Sequence, residues 1–216
     1  MKLKKIAIFG KGGFGREVHM LIEQINQCEL SWDFAGFFDD SKPKEGSING
    51  QPYLGGLAEL NDLKEELCLV IAIGNPATKK YILDRIINES ITYPVLIHPS
   101  VLIGDRQFVS IGEGSIICAG SIITVNIEIG KHVILNLACT IGHDTVIRDF
   151  CAFMPHVSIS GEVIVNKDVY VGTGASIINQ VEIGENTTVG AGSVVTKSLP
   201  NACVAVGIPA KPIKFK

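Results

Sequence analysis

The stretch TIGHDTV, Thr140 to Val146, sets a histidine beside an aspartate in a segment that otherwise repeats itself. An imidazole titrates near neutrality, so it can take a proton from a reacting group, and a neighbouring carboxylate can hold it in one tautomer. His143 and Asp144 are therefore either a general base with its orienting partner or a surface histidine hydrogen-bonded to its neighbour. A second stretch, GKGGFG from Gly10 to Gly15, has G-x-G-x-x-G spacing between an apolar run and a helical pattern, where backbone can approach a phosphate at a helix N-terminus. As an NAD signature it is weak. Asp39 and Asp40, which follow the second apolar run, stand side by side in a loop where the partner acid of such a site is poorly placed, and nothing downstream resembles a hydride-acceptor domain.

Two kinds of element must hold these residues. Up to about residue 97, short apolar runs (KIAIF, FAGFFDD, CLVIAIG, YPVLI) alternate with helical patterns (FGREVHMLIEQI, LAELNDLKEEL, ATKKYILDRII), which predicts a small Rossmann-like α/β domain with a parallel sheet over 1–97. Asn75 and Pro76 read as the N-cap and first residue of a helix. The segment between Asp40 and Leu54, rich in Lys, Pro, Gly and Ser, reads as mobile surface.

From Ile111 the pattern changes. Every sixth residue to Val195 is apolar, fifteen positions without a slip, which is a solenoid signal and not a helical one. Each unit points one aliphatic side chain inward, and the next residue is often Gly or Asn, types that tolerate positive φ. Three units close a triangular coil, so the fifteen build five coils, a prism roughly 24 Å tall at the ~4.8 Å strand spacing. Ile103 and Ile111 are eight residues apart, so an irregular turn precedes the regular coils. An exposed coil edge after Val195 would invite mispairing, and the tail LPNACVAVGIPAKPIKFK is placed to cover it. The second domain thus spans 98–216.

Composition narrows the partners. The 216 residues are 46% hydrophobic and carry a formal charge of −3, ample for a buried core and without the basic footprint of a nucleic-acid or membrane-surface binder. The apolar run IAIF is too short for a signal peptide, and a cytoplasmic location is expected. Six cysteines without C-x-x-C spacing read as buried reduced thiols.

The hexapeptide period, VGAGSVVTKSLP and GIPAKPI together resemble the left-handed β-helix acyltransferases. IFGKGGFGREV, GFFDD, IAIGNPATKK and LIHPSVLIG, with LNLACTIGHDTVIRDF, narrow the resemblance to sugar O- and N-acetyltransferases that join a nucleotide-binding-like domain to such a helix. That resemblance implies the coil's left hand, acetyl-CoA as co-substrate with no metal, and a homotrimer with active sites between subunits. It implies an acceptor that is a nucleotide-linked 4-amino-4,6-dideoxy sugar, with sialic acid O-acetylation as the alternative and a purely structural β-helix as a weaker one. It makes His143 the base and Asp144 its partner, and places Asn136 near the acceptor sugar. Backbone at Gly161 and Ala191 would meet acetyl-CoA, with Gly161 donating to the thioester oxygen. Gly12, Gly13, Asp39 and Asp40 would meet the nucleotide. Some relatives carry a second histidine nine residues after the base, where this chain has Ala152; His156 is the candidate to replace it in cofactor contact. A zinc-dependent β-helix enzyme would instead need His132, His143 and His156 to converge.

Overall fold

The apolar run at the start forms β1 (Lys4–Phe9), followed by α1 (Gly13–Cys28), β2 (Trp32–Phe38), β3 (Ser47–Ile48), β4 (Gln51–Gly55), α2 (Leu57–Asp62), β5 (Leu67–Ile71), α3 (Pro76–Leu83) and β6 (Ile91–Thr92). These lie in the first of two units, Met1–Pro99 and Ser100–Lys216, of a computed structural model that describes residues 3–216. The sheet order is β3-β4-β2-β1-β5-β6. β1 is central, with Ile6 to Phe9 buried, which explains a run without alternation. α1 buries Val18, Leu21 and Ile22, one helical face. Asn75 caps α3, its Oδ1 accepting from Thr78 N at 2.9 Å, with Pro76 at the first helical position.

Three expectations are corrected in this unit. The segment after Asp40 is not simply loose: β3 and β4 pair antiparallel, adding a hairpin to an otherwise parallel sheet. Asn49 and Gly50 both have positive φ, 50° and 78°, the Asn-Gly pair that suits a tight hairpin whose twist matches its strands. The helical patterns also end early. α2 stops at Asp62 because Leu67 must already lie in β5, two residues before Leu69 pairs with Ala7. α3 stops at Leu83, and Asn61 joins the two helix ends by donating to Arg85 O and accepting from Ile87 N. The cysteines differ as well: Cys118, Cys139, Cys151 and Cys203 are buried, but Cys28 is exposed and Cys68 half-buried.

In the second unit, residues eighteen apart pair in parallel, Ile123 beside Ile141, then Ile159, Ile177 and Val195. Three sheets form the faces of the coil. The first face runs from Ile116–Ile117 through Leu135, Phe153, Val171 and Val189; the second carries Ile103 to Val195; the third carries Ile111 to Ile183. The sixth-residue ladder is buried from Ile117 to Val195, with Ile111 half-buried. The extra residues after Ile103 form a 3₁₀ turn, Arg106–Phe108.

A second inward ladder stands two residues before the first, because side chains alternate along a strand. Val133, Cys139, Thr145, Cys151, Val157, Val163, Val169 and Ala175 are all buried. Its polar members bond the backbone: Thr145 Oγ1 donates to Ser160 O at 3.2 Å and Thr187 Oγ1 to Pro200 O at 2.7 Å. The glycines after the inward residue are corrected too. They do not supply positive φ; a side chain on Gly142 would stand 2.5 Å from the Ser160 carbonyl carbon, so glycine permits close approach of coils. Positive φ falls two residues later, at Asn126, His132, Ala138, Asp144, Phe150 and His156.

The tail does more than cover the end. Cys203–Val206 continues the first face beside Thr188–Val189, and Lys211–Phe215 turns back antiparallel on it. Leu199 bridges to Ile183 on the third face, and Val194 on the second exchanges backbone bonds with Gly207 and Ala210.

Candidate active site

His143 and Asp144 stand at the corner between the second and third faces, after inward Ile141. His143 Nδ1 and Asp144 Oδ2 are 2.8 Å apart. An ionised carboxylate can only accept, so Nδ1 carries a proton, and in the neutral ring Nε2 presents a lone pair. A hydrogen bond from the Asn126 amide, then that from His143, hold the Asp144 carboxyl below the ordinary value. The Asn126 bond, Nδ2 to Asp144 Oδ1 at 2.8 Å, comes from the coil before. Both side chains of the pair are about half exposed in the single chain, 57% for His143 and 49% for Asp144.

Gly161 lies one coil further on, directly against the imidazole. A Cβ there would collide with His143 Nε2 and Cε1, so glycine makes the space the ring occupies. The Gly161 carbonyl accepts from Gln180 N at 3.1 Å, while its N–H donates to no described residue. The Ala191 N–H is likewise undonated, but Ala191 belongs to the corner between the first and second faces, as do Asn136 and His156. Within one chain, then, the anticipated residues divide between two corners: His143, Asp144 and Gly161 at one, Asn136, His156 and Ala191 at the other. Asn136 is buried and its Oδ1 accepts from Leu137 N at 2.7 Å. Ala152 is buried in its strand, whereas His156 is exposed at the corner.

The third corner carries ion pairs and ring stacking. Lys131 pairs with Glu113 at 2.7 Å, and its N–H donates to Asp149 at 2.9 Å, while His132 stacks on Phe150 with ring centroids 5.6 Å apart. His132, His143 and His156 thus occupy three different corners of one chain. Among the described residues no group of three His, Cys, Asp or Glu could hold a metal ion.

In the first unit the glycine loop sorts by role. Gly10, at φ 113°, would set a Cβ 3.0 Å from Ala72 O, and a Cβ on Gly15 would collide with Gly10 O, so these two serve packing. Gly12, the N-cap of α1, faces open space, and Gly13 has only the end of Arg16 within 4.0 Å. Asp39 is turned toward this loop, accepting from Lys11 N and Lys11 Nζ, both at 3.0 Å, and from Ser41 N at 2.9 Å. Burial pushes its carboxyl up, but these bonds and that of the Ser41 hydroxyl together hold it below the ordinary value. Asp40 accepts from Leu57 N at 2.9 Å, at the start of α2. Neither aspartate is an unengaged loop acid.

Residues 5–86 match the PglD N-terminal domain, and residues 162–197 the bacterial transferase hexapeptide (six repeats). GDP-perosamine N-acetyltransferase of Escherichia coli O157:H7 is 29% identical, the match covering 86% of this chain and 82% of that one. A histidine-to-asparagine variant of perosamine N-acetyltransferase from Caulobacter crescentus, solved in complex with CoA and GDP-perosamine, has a TM-score of 0.87 at 29% identity, covering 99% of this chain and 98% of that one. WeeI from Acinetobacter baumannii AYE has a TM-score of 0.87 at 31% identity, covering 97% of this chain and 100% of that one. The chain belongs to the hexapeptide-repeat acetyltransferases with a PglD-type N-terminal domain.

In this hexapeptide acetyltransferase the second unit is a left-handed parallel β-helix and the first a Rossmann-like α/β unit. Asn126 and Lys11 escaped the reading of motifs. Asn126 stands one full coil before Asp144, a step of eighteen that the period itself supplies; for Lys11 no local signal exists, because its partner lies on another strand.

Proposed function

We propose that the protein is an acetyl-CoA-dependent N-acetyltransferase acting on the amino group of a nucleotide-linked 4-amino-4,6-dideoxy sugar, for surface glycan synthesis in the cytoplasm. The observation that carries this reading is the His143–Asp144 contact, which leaves Nε2 free beside Gly161, on a chain similar end to end to perosamine N-acetyltransferase. The amine attacks the thioester carbonyl while His143 Nε2 accepts its proton. The developing oxyanion meets the N–H of Gly161, which has no other acceptor among the described residues. The C–S bond then breaks, the thiolate takes the proton from the imidazolium, and acetamido sugar and CoA leave.

In the same reading residues 1–97 bind the nucleotide, with the pyrophosphate over Gly12 and Gly13, while 98–216 carry the transfer. The active unit is a homotrimer with sites between subunits. Exposed Ile122, Val125, Ile164 and Ile178 flank the His143 corner and Leu137 stands at the next, apolar surface suited to association. A neighbouring copy would set one corner against another, joining Asn136, His156 and Ala191 to His143.

The test is release of CoA thiol with UDP-, dTDP- and GDP-linked 4-amino sugars and free sialic acid, alongside His143→Ala. Turnover with an amino sugar is expected, with the variant losing about 10²–10⁴ in rate. Activity with sialic acid alone would reassign the acceptor to a hydroxyl. Variant activity above about a tenth of native would remove His143 as base, and silence with every acceptor would favour the structural reading.

A further inference from the structure

We propose that Asn126 is a positioning residue for the transfer: its side-chain amide fixes the Asp144 carboxylate, which in turn fixes the His143 ring. This inference rests on the reading of His143 as the base. Two bonds of 2.8 Å run in series, Asn126 Nδ2 to Asp144 Oδ1 and Asp144 Oδ2 to His143 Nδ1. Each carboxylate oxygen is thereby committed to one donor, and rotation of the group would break both bonds.

The support is rigid. Asn126 and Asp144 hold the same position in successive coils, both at φ 57°, and Asp144 N donates to Val125 O at 3.0 Å. Asparagine suits this place twice, because it tolerates the left-handed region and carries an amide. At the same corner Val125 stands next to Asn126, Glu162 lies one coil beyond Asp144, and Gln180 one coil beyond Glu162. Two carboxylates on adjacent rungs, about 4.8 Å apart in strand spacing, repel each other. Each is met by an amide from its far side, Asp144 by Asn126 and Glu162 by Gln180 Nε2 at 3.1 Å. Without Asn126, Glu162 and water would compete to turn Asp144 away from the ring. The ionised state of Asp144 is favoured first by the Asn126 amide.

Two variants separate the amide from the backbone. Asn126→Gly keeps the left-handed conformation and removes the side chain; Asn126→Asp keeps the shape and replaces the donor by a third acid. In each, kcat is expected to fall roughly 10- to 100-fold, by analogy with the loss of a hydrogen-bonded residue behind a ligand, with KM for acetyl-CoA and acceptor unchanged. In an Asp144→Ala background, Asn126→Gly should cost nothing more, since a residue acting only through Asp144 is silent once Asp144 is gone. A kcat within twofold of native, or a loss that simply adds to that of Asp144→Ala, would overturn the proposal. The imidazole ¹⁵N spectrum of His143 in the resting enzyme needs no turnover. One tautomer, protonated at Nδ1, is expected in the native protein and a mixture in Asn126→Gly; identical spectra would overturn the proposal. Activity retained in His143→Ala would remove the base reading instead, so the two failures are distinguishable.

Discussion

At the scale of the residue, the site depends on a side chain that is missing. His143 lies where a Cβ at position 161 would have to be. Gly161 has no positive φ, so alanine is acceptable to the backbone and the conflict is confined to the ring. Gly161→Ala is expected to leave the fold intact and to lower kcat by at least tenfold, because the imidazole must leave its bond to Asp144 or the coils must part. Steady-state kinetics beside far-UV circular dichroism checks this; native kcat would show that the ring has room. The His143–Asp144 pair was legible from adjacency and motif. Gly161's meaning was half legible, since spacing marks it as a corner residue but the imidazole against it belongs to another coil.

At the scale of the element, the first unit shows what a carboxylate just after a strand ties down. Asp39, at the end of β2, ties down Lys11 in the turn from β1 to α1 through its backbone N–H and ammonium. Its carboxyl is held below the ordinary value, so its stabilising effect is fully present above the unfolded-state value and is lost as pH falls through the lower folded value. Asp39→Asn is therefore expected to cost about 1.5–3 kcal/mol at pH 7, as for hydrogen bonds to a charged group, and the melting-temperature difference from native should vanish in acid, once both states are protonated. A difference that persists unchanged there would assign the effect to shape rather than charge. The strands of this unit were visible as apolar runs, but LAELNDLKEEL reads as one helix and forms only a short one. Helical periodicity is a property of side chains on one segment, whereas its end is set by the pairing of β5 with β1, which that segment does not contain.

At the scale of the whole molecule, the second unit is a stack whose ends need closing. Removal of residues 198–216 would take away Leu199 beside Ile183 and the strand Cys203–Val206 beside Thr188–Val189, leaving the last rungs unpaired. The truncated chain is expected to aggregate rather than remain monodisperse in light scattering, because unpaired parallel edges recruit other edges; a dispersed, cooperatively melting product would show that the tail is dispensable. The sequence alone determined the coil, its eighteen-residue turn, the inward ladder and the histidine with its aspartate, since each is a regularity between residues near in chain. The eighteen-residue step already brings Asn126 and Asp144, and His143 and Gly161, to one corner; only the tertiary structure decided which side chains touch there. It set the Asn126 amide on Asp144, the His143 ring against Gly161 and Asp39 on Lys11. Those contacts depend on side-chain conformation and, for Asp39 and Lys11, on the pairing of separate strands, which no pattern along a single segment contains.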